Sequence, residues 1–470
     1  MPTDISYVRP NNPLVPEIVK LSPIDQFTIR VYTPLLLCFK TELSSSDTAI
    51  CSVLKQSLAN VLDSMSWFAG TICTANKAHG TVELCISEDD AVPFKVQDLR
   101  TDPRGNLLDF DGLTRDHFPP SRLDPSILLP GSIQPGPVAP CLEVQVNFIR
   151  GGLILATNTH HSVVDGCGIG VFWKHWAREA AAISQGLIVP LSERFPREAL
   201  DRWPLFPVPG KCPPAMSEYP GFTNQGVAGY IRETSGLTIS CWRISRDSLQ
   251  ELIRQVQAGT GTDNPGTQNS VLSAFLLRHF TRARQLGNRG VTTVAAFGAN
   301  DIRARMDPPL HPDYPGNAVA HSKVTFPLTQ VVSPGMDSLA KVSFSILESV
   351  EWWTPERIRQ MLSSMQTHPQ VRGLSRSMDL EADTCLEVSN TSNMPVYSAF
   401  WGHHLGSPVS VRLPHLPILD GQVRVFPRLP DGGIELLLFT HETVVERMKG
   451  DSEFTKFVEY YVMSGRRFLP

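Results

Sequence analysis

The chain has 470 residues and a net charge of −4, and 41% of its residues are hydrophobic while 19% are charged. This composition is typical of a folded globular protein and excludes a chain that is disordered along its length. The charge balance also disfavours a nucleic-acid-binding protein, which needs a basic face.

A chain of this length exceeds one ordinary hydrophobic core, so we expect two domains. The N-terminal stretch MPTDISYVRPNN lacks the apolar core of a signal peptide. The longest apolar runs, such as PLLLCF and GGLILA, are far shorter than the roughly 20 residues that cross a bilayer. The nine cysteines include no C-x-x-C pair, which disfavours a disulfide framework and a zinc site. We therefore expect a soluble cytoplasmic protein with no membrane span and no bound metal.

The first half of the chain mixes helical and strand patterns. SDTAICSVLKQSLANVLDSM, residues 46–65, opens with serine and aspartate caps and carries apolar residues at helical spacing, which predicts a helix. Strands are predicted in TVELCIS (81–87), CLEVQVNFI (141–149) and GLILATN (152–158).

The last of these strands runs directly into two adjacent histidines. The chain continues as THHSVVDGCGIG, and GIGVFWKHWAREAAAIS (168–184) predicts a helix, with an apolar face formed by Ile169, Phe172, Trp173, Trp176 and Ala177. His161 to Asp165 therefore occupy a strand-to-helix turn. Gly166 and Gly168 suit such a turn, where the backbone needs a positive φ or a close approach.

His161 has two interpretations at this turn. An imidazole at a cleft edge can act as a general base for an alcohol nucleophile, which typically contributes about 10²–10⁴-fold to the rate. A structural histidine at a strand end is the alternative, and the H-x-x-x-D pattern alone does not separate the two. His160 faces the opposite side if the strand continues, which favours a packing role.

Asp165 also has two interpretations. It could orient His161 as the acid of a triad, or it could pair with an arginine from another segment, because buried carboxylates are usually paired. The sharp turn at Gly166 favours the arginine pair. Cys167 lies beside the motif, but no base is suggested at a suitable spacing, which disfavours a thiol nucleophile.

Prolines cluster between Pro190 and Pro220, which predicts an extended crossover because proline blocks regular hydrogen bonding. We therefore divide the chain into 1–195, a crossover at 196–229, and 230–470. The second part predicts helices in NSVLSAFLLRHFTRARQLG, closing on Gly287, and in AKVSFSILESVEWW. It predicts strands in GLTISCWRIS, TTVAAFGAN, GQVRVFPRL and GIELLLFT. The expected fold class is α+β, in two halves.

Six segments, in order, resemble the BAHD-type acyl-CoA-dependent acyltransferases and their fungal trichothecene 3-O-acetyltransferase-like branch. They are VKLSPIDQFTIRVYTPLLLCFK, THHSVVDGCGIGVFWKHWA, NSVLSAFLLRHFTRAR, NDIRARMDPPLHPDYPGNAV, NMPVYSAFWGHHLGSPVSVRLP and VFPRLPDGGIELLLFTHETVVERMKGDSEF. The resemblance implies two chloramphenicol-acetyltransferase-like domains with an active-site channel between them. Acyl-CoA would enter from one face and the acceptor alcohol from the other.

The resemblance also implies roles for individual residues. His161 matches the family's general base, and Asp165 matches its structural aspartate, for which Arg303 is the candidate partner and Arg305 the second choice. Counting back from Gly402, the hydroxyl residue that supports the tetrahedral intermediate falls on Ser389. A polar loop residue without a role in the reaction is the alternative for Ser389.

This chain departs from the family at three positions. Thr391 stands where the family has a tryptophan, Ser407 stands where it has a basic residue before proline, and Phe400 precedes Trp401 and Gly402 where it has an aspartate. The missing carboxylate would remove a salt bridge at the channel floor.

The resulting hypothesis is a monomeric acetyl-CoA-dependent O-acetyltransferase that acts on a fungal secondary metabolite such as a terpenoid, polyketide or alkaloid. One alternative is a condensation-type enzyme with a carrier-protein-bound acyl donor, because His160 and His161 fit its H-H-x-x-x-D-G pattern. Another alternative is a non-catalytic homologue that binds a metabolite, which only Phe400 favours.

Overall fold

A computed structural model of the protein describes residues 4–41, 46–76, 79–103, 108–207, 214–223, 236–260, 266–368, 374–376, 383–416 and 419–463. The helices in these ranges are α1 (Pro23–Phe27), α2 (Asp47–Leu62), α3 (Phe110–Arg115), α4 (Pro125–Leu128), α5 (Gly166–Ser184), α6 (Arg246–Thr260), α7 (Gln268–Ala283), α8 (Leu328–Val332), α9 (Met336–Glu351), α10 (Pro355–Thr367), α11 (Glu442–Lys449) and α12 (Ser452–Thr455).

The strands in the same ranges are β1 (Asp4–Val8), β2 (Glu17–Val19), β3 (Tyr32–Lys40), β4 (Thr71–Asn76), β5 (Thr81–Ile86), β6 (Val92–Asp98), β7 (Ala139–Pro140), β8 (Leu142–Ile149), β9 (Gly152–His160), β10 (Phe222–Thr223), β11 (Leu237–Ile244), β12 (Thr293–Asp301), β13 (Val319–Pro327), β14 (Ser375–Arg376), β15 (Cys385–Asn390), β16 (Ser410–Arg412), β17 (Gln422–Val425), β18 (Ile434–His441) and β19 (Val458–Met463).

The first half is built on a six-stranded sheet in the order β1-β6-β8-β9-β3-β16. Strand β9 lies inside this sheet, antiparallel to β3 in a register that runs from Tyr32 opposite His160 to Lys40 opposite Gly152. Every residue of β9 is buried, because α2 and α5 pack on one face of the sheet while α3 packs on the other. A strand buried on both faces is a rigid support for the residue that follows it, which is His161.

The second half is built on a seven-stranded sheet in the order β13-β12-β15-β17-β18-β11-β19. Side chains on one face of this sheet pack against α6, α7 and α9. On the opposite face, Ile239, Leu437 and Phe439 belong to the same hydrophobic cluster as the core of the first half. The two halves therefore meet through the inner face of the second sheet.

Two connections cross between the halves. Strand β16 comes from the second half but pairs with β3 of the first sheet, and β10, at the end of the crossover, pairs with β14. Parts of the crossover, at 208–213 and 224–229, lie outside the described residues. The division at 195 and 230 stays a prediction, and β16 lies across it.

Most of the elements that the local patterns predict are observed within a few residues of the predicted ends. The five residues predicted for the apolar face of the helix after the motif, Ile169, Phe172, Trp173, Trp176 and Ala177, are all buried. The predicted end at Gly287 is wrong, because α7 ends at Ala283 and Gln285 takes the left-handed conformation with φ 54°. The strand predicted at 421–429 is shorter, because only Gln422–Val425 pairs with its neighbours.

Candidate active site

His161 lies immediately after β9, where the chain turns toward α5. Its backbone N–H donates to the carbonyl of Val31, which precedes β3, at 2.9 Å. The next backbone bond, from Val163 N–H to the His160 carbonyl at 3.0 Å, closes the turn. The chain direction at His161 is therefore fixed by both the sheet and the turn.

Asp165 is the N-cap of α5, and its carboxylate accepts hydrogen bonds from three donors. Its Oδ1 accepts from Gly168 N–H at 2.9 Å and from Arg303 Nη2 at 2.8 Å, and its Oδ2 accepts from Ala318 N–H at 3.0 Å. Both side chains of the ion pair are buried, at 5% and 6% exposure. The described contacts thus place Asp165 with Arg303 rather than with the His161 ring, and Arg303 rather than Arg305 is the partner.

Arg303 is held by the backbone of the same segment that reaches Asp165. Its Nε donates to the carbonyl of Tyr314 at 3.0 Å, and its Nη2 donates to the carbonyl of Gly316 at 2.7 Å. Its Nη1 bonds Asp301 at 3.0 Å. The second half of the chain therefore surrounds the motif turn. Two of its carbonyl groups accept hydrogen bonds from Arg303, and one of its backbone N–H groups donates to Asp165.

The two glycines of the motif differ in what surrounds them. A Cβ on Gly168 would lie 1.8 Å from the carbonyl oxygen of Pro315, which no side chain can tolerate. A Cβ on Gly166 would meet only the Cγ2 methyl of Thr391, at 3.3 Å. Neither glycine has a positive φ, so the glycine requirement at Gly168 comes from the close approach of the 314–318 segment.

The environment of His161 keeps its imidazole neutral at neutral pH. Burial lowers the pKa of His161 below its ordinary value, and nearby Arg376 lowers it further, while backbone groups of the turn and Asp165 oppose this only in part. Its Nδ1 is buried on the side of the ring that faces the backbone of the turn. A neutral imidazole can accept a proton from an alcohol through a ring nitrogen that carries no hydrogen.

The neighbours of His161 in the motif do not have the properties of a base or a nucleophile. The Nδ1 of His160 accepts from Ser162 N–H at 3.2 Å, its ring packs against Tyr32 at 5.6 Å, and burial lowers its pKa to about 4. Cys167 is an exposed residue, yet desolvation of its sulfur in the turn raises its pKa to about 12. Thiols with such a pKa stay protonated at neutral pH.

Ser389 lies in β15, on the face of the second sheet that turns toward the first half. Side chains alternate along a strand, so Glu387 and Ser389 share a face, and Ser389 lies beside Arg424 in the register with β17. Thr391, two residues further on, places its methyl group against Gly166 of the motif. This strand end therefore approaches the motif turn from the second half.

The segment around Trp401 packs against α5. Trp401 is buried, with its ring 5.2 Å from Trp176 and 5.7 Å from Phe39. Gly402 has φ 93°, and a Cβ there would lie 2.3 Å from Ser184 Oγ, so glycine is required.

Phe400 is 42% exposed and contacts the ring of His403 at 6.0 Å. The replaced aspartate position is thus at the surface, and Ser407 is also exposed.

Several polar residues at this site were missed by the sequence patterns. Asn317, in the PGN sequence after Arg303, donates to the carbonyl oxygen of His161 at 2.8 Å. His321 on β13 lies near His161, and burial lowers its pKa to about 3. Glu387 pairs with Arg376 at 2.6 Å. No local pattern marked these residues, because neither loop composition nor strand alternation shows what a side chain will contact across the fold.

Within the described residues, the structure contains neither a group of side chains suited to a metal ion nor a helix suited to a membrane. No three His, Cys, Asp or Glu side chains gather there in an arrangement that could hold a metal ion. No helix in the same ranges is long and apolar enough to cross a membrane.

Comparisons with known proteins agree with this geometry. The model of the Transferase family matches residues 3–455. The chain belongs to this family. It is an acyltransferase of the BAHD type, and the expected α+β fold class with two chloramphenicol-acetyltransferase-like domains is confirmed.

Curated relatives of this BAHD-type chain span nearly its whole length. The acyltransferase easC of Emericella nidulans is 29% identical over 96% of this chain and 97% of its own. The trichothecene 3-O-acetyltransferase TRI101 of Fusarium sporotrichioides is 24% identical over 92% of this chain and 94% of its own. The crystal structure of F. graminearum TRI101 with coenzyme A and deoxynivalenol superimposes with a TM-score of 0.83 at 20% identity, over 95% of this chain and 100% of that one.

Proposed function

We propose that the protein is an acyl-CoA-dependent O-acyltransferase, with acetyl-CoA as the donor and a hydroxyl group of a fungal secondary metabolite as the acceptor. The observation that carries this proposal is the division of roles in the motif. His161 is neutral and close to the inner face of the second sheet, while the Asp165 carboxylate is occupied by Arg303 and two backbone donors. The site thus contains a base without a triad acid.

In this proposal the acyl group passes directly from donor to acceptor in a ternary complex. His161 takes the proton of the acceptor hydroxyl as its oxygen attacks the thioester carbonyl. The tetrahedral intermediate collapses with cleavage of the carbon–sulfur bond, and the imidazolium returns the proton to the coenzyme A thiolate. An alcohol and a thioester give an ester and a free thiol, so no further reactant is needed, and holding both in one cleft lowers the entropic barrier.

Ser389 is proposed to donate a hydrogen bond to the oxyanion of this intermediate. Its place on the inner face of β15, two residues before the contact of Thr391 with the motif, supports this role. Removing one donor of this kind typically costs about 10²–10³-fold in rate. Arg303, Gly166, Trp401 and Gly402 serve as structural residues in the proposal, since their described contacts hold the turn and the 400–402 segment in place.

The substrate class, monomeric state and cytoplasmic location are also proposals. Relatives named as acyl- and acetyltransferases of trichothecenes and eremophilanes support a polycyclic alcohol as acceptor. The eight described cysteines form no disulfide with one another, which fits a reducing compartment.

The test is a mass-spectrometric assay of the purified protein with acetyl-CoA and longer acyl-CoAs against a panel of polycyclic alcohols. The wild type should form acyl esters, and His161→Ala should lose turnover while keeping its melting temperature. His160→Asn is the matched control, because its amide oxygen can replace the Nδ1 acceptor for Ser162, and it should retain transfer. Transfer only from an acylated carrier protein would contradict the proposal and support the condensation-type alternative.

A further inference from the structure

A single side chain, Asn317, links the backbone of His161 to a buried carboxylate. Its Nδ2 donates one hydrogen to the carbonyl oxygen of His161 at 2.8 Å and the other to Oδ1 of Asp25 at 2.9 Å. Asn317 is 2% exposed. Both amide hydrogens are used, and a flipped amide would place its oxygen against two acceptors, so the orientation is fixed.

Asp25 is the fully buried residue at the other end of this link. It lies in the first turn of α1, where its Oδ2 accepts from Ser22 N–H at 2.9 Å in a capping box. Burial raises the pKa of this carboxyl, while Arg202, Asn317 and Ser22 oppose the rise. Asp25 is a strong acceptor for Asn317 when it is ionised, and its ionisation depends on these donors.

The charge that balances Asp25 comes from the crossover between the two halves. Arg202 Nη1 donates to Asp25 Oδ2 at 3.2 Å, with side-chain exposures of 7% and 0%. The guanidinium also lies over the ring of Trp67 at 3.8 Å, which fixes its plane. Arg202 is 177 positions from Asp25 in the chain, and Asn317 is 292 positions from it. Three distant segments therefore meet behind the histidine.

We propose that Arg202, Asp25 and Asn317 act as positioning residues that hold His161 for proton transfer, so that the crossover supports the catalytic turn. Asn317 fixes the carbonyl of His161 while Val31 fixes its N–H, so both sides of the residue are anchored. Ala318, the next residue, anchors Asp165 from the same segment. The role of these residues in proton transfer rests on the proposed function, whereas their hydrogen bonds to the turn do not.

A purely structural role would give a different result from a positioning role. Loss of the link would lower stability in either case, since a buried charge loses its partner. Only a positioning role requires that the imidazole of His161 change its exposure or orientation, and that kcat fall without weaker binding of the donor. A misplacement of about 1 Å can cost about 100-fold in rate.

The experiment compares Asn317→Ala and Arg202→Met with the wild type and with Arg284→Met. The control removes another buried ion pair, Arg284 with Asp420 at 2.6 Å, which lies in the second half and has no described contact with the motif. Three quantities are measured for each protein: kcat for acetyl transfer, the Kd of acetyl-CoA by calorimetry, and the rate at which diethyl pyrocarbonate modifies His161, read by peptide mass spectrometry.

We expect Asn317→Ala and Arg202→Met to lower kcat by about 10- to 100-fold with an unchanged Kd for acetyl-CoA. The modification rate of His161 should change several-fold in both variants and stay at the wild-type value in Arg284→Met. Asn317→Asp should be worse than Asn317→Ala, because it places a second carboxylate beside Asp25. The proposal is overturned if the modification rate of His161 is the same in all four proteins. If the wild type transferred no acetyl group, the proposed function would fail, while the His161 modification rates would still decide the positioning role.

Discussion

Replacing Asp165 by asparagine tests whether this carboxylate anchors the turn or takes part in the reaction. In the structure it accepts three hydrogen bonds, from Arg303, Gly168 and Ala318, and is 4% exposed. The single side-chain oxygen of asparagine can accept from only some of these three donors. Its NH2 group must then face a remaining donor, with which it cannot form a hydrogen bond. Arg303 would also lose its buried counter-charge.

The size of the effect follows from these contacts. Breaking a buried ion pair by removing one partner costs about 3–5 kcal/mol, and a lost N-cap costs about 1 kcal/mol. These contributions share the same atoms and do not add. Because Arg303 keeps Asp301 and two backbone carbonyls, we expect Asp165→Asn to lower the free energy of unfolding by about 3 kcal/mol, the lower end of the range.

The assay is urea denaturation followed by circular dichroism and tryptophan fluorescence, beside a measurement of kcat on the same preparations. Asp301→Asn is the matched control, because it removes the other carboxylate that pairs with Arg303. The Asp301 side chain is 47% exposed, so this pair should contribute only about 0–1 kcal/mol to stability. Asp165→Asn should lose stability and activity together. If kcat collapsed while the free energy of unfolding matched that of Asp301→Asn, Asp165 would have a direct part in proton transfer and the anchor role would be refuted.

Three further predictions concern the same site. Gly168→Ala should prevent correct folding or destabilise strongly in thermal melts, because its Cβ would lie 1.8 Å from the Pro315 carbonyl, whereas Gly166→Ala should be tolerated; equal stability of the two variants would contradict this account. Ser389→Ala should lower kcat by about 10²–10³-fold with unchanged acetyl-CoA binding, and an unchanged kcat would remove its oxyanion role. In the proposed function His161 acts in its neutral form, and burial lowers its pKa, so kcat/KM should persist as the pH falls through about 6.5 and decline only below it; an acid limb above that value would be inconsistent with this environment.

The sequence by itself determined the features that depend on neighbouring residues. The apolar run before His161, the helical spacing after Asp165 and the glycines between them predicted the strand-to-helix turn, because each pattern reflects local geometry. Resemblance of ordered segments indicated Arg303 as the partner of Asp165, and the structure contains that ion pair. The end of α7 could not be predicted in this way, since Gln285 rather than Gly287 adopts the left-handed conformation.

Only the tertiary structure decided which distant residues surround the histidine. Asn317, Asp25 and Arg202 belong to three segments whose contacts span 156, 292 and 177 positions in the chain. Each looks like an ordinary polar residue in its own segment, because local spacing carries no signal for a contact made across the chain. Burial beside the motif makes these contacts strong, since a polar group removed from water must find a partner. The sequence thus indicated His161 as the candidate general base, and the packing of the two halves and their crossover fixed its surroundings.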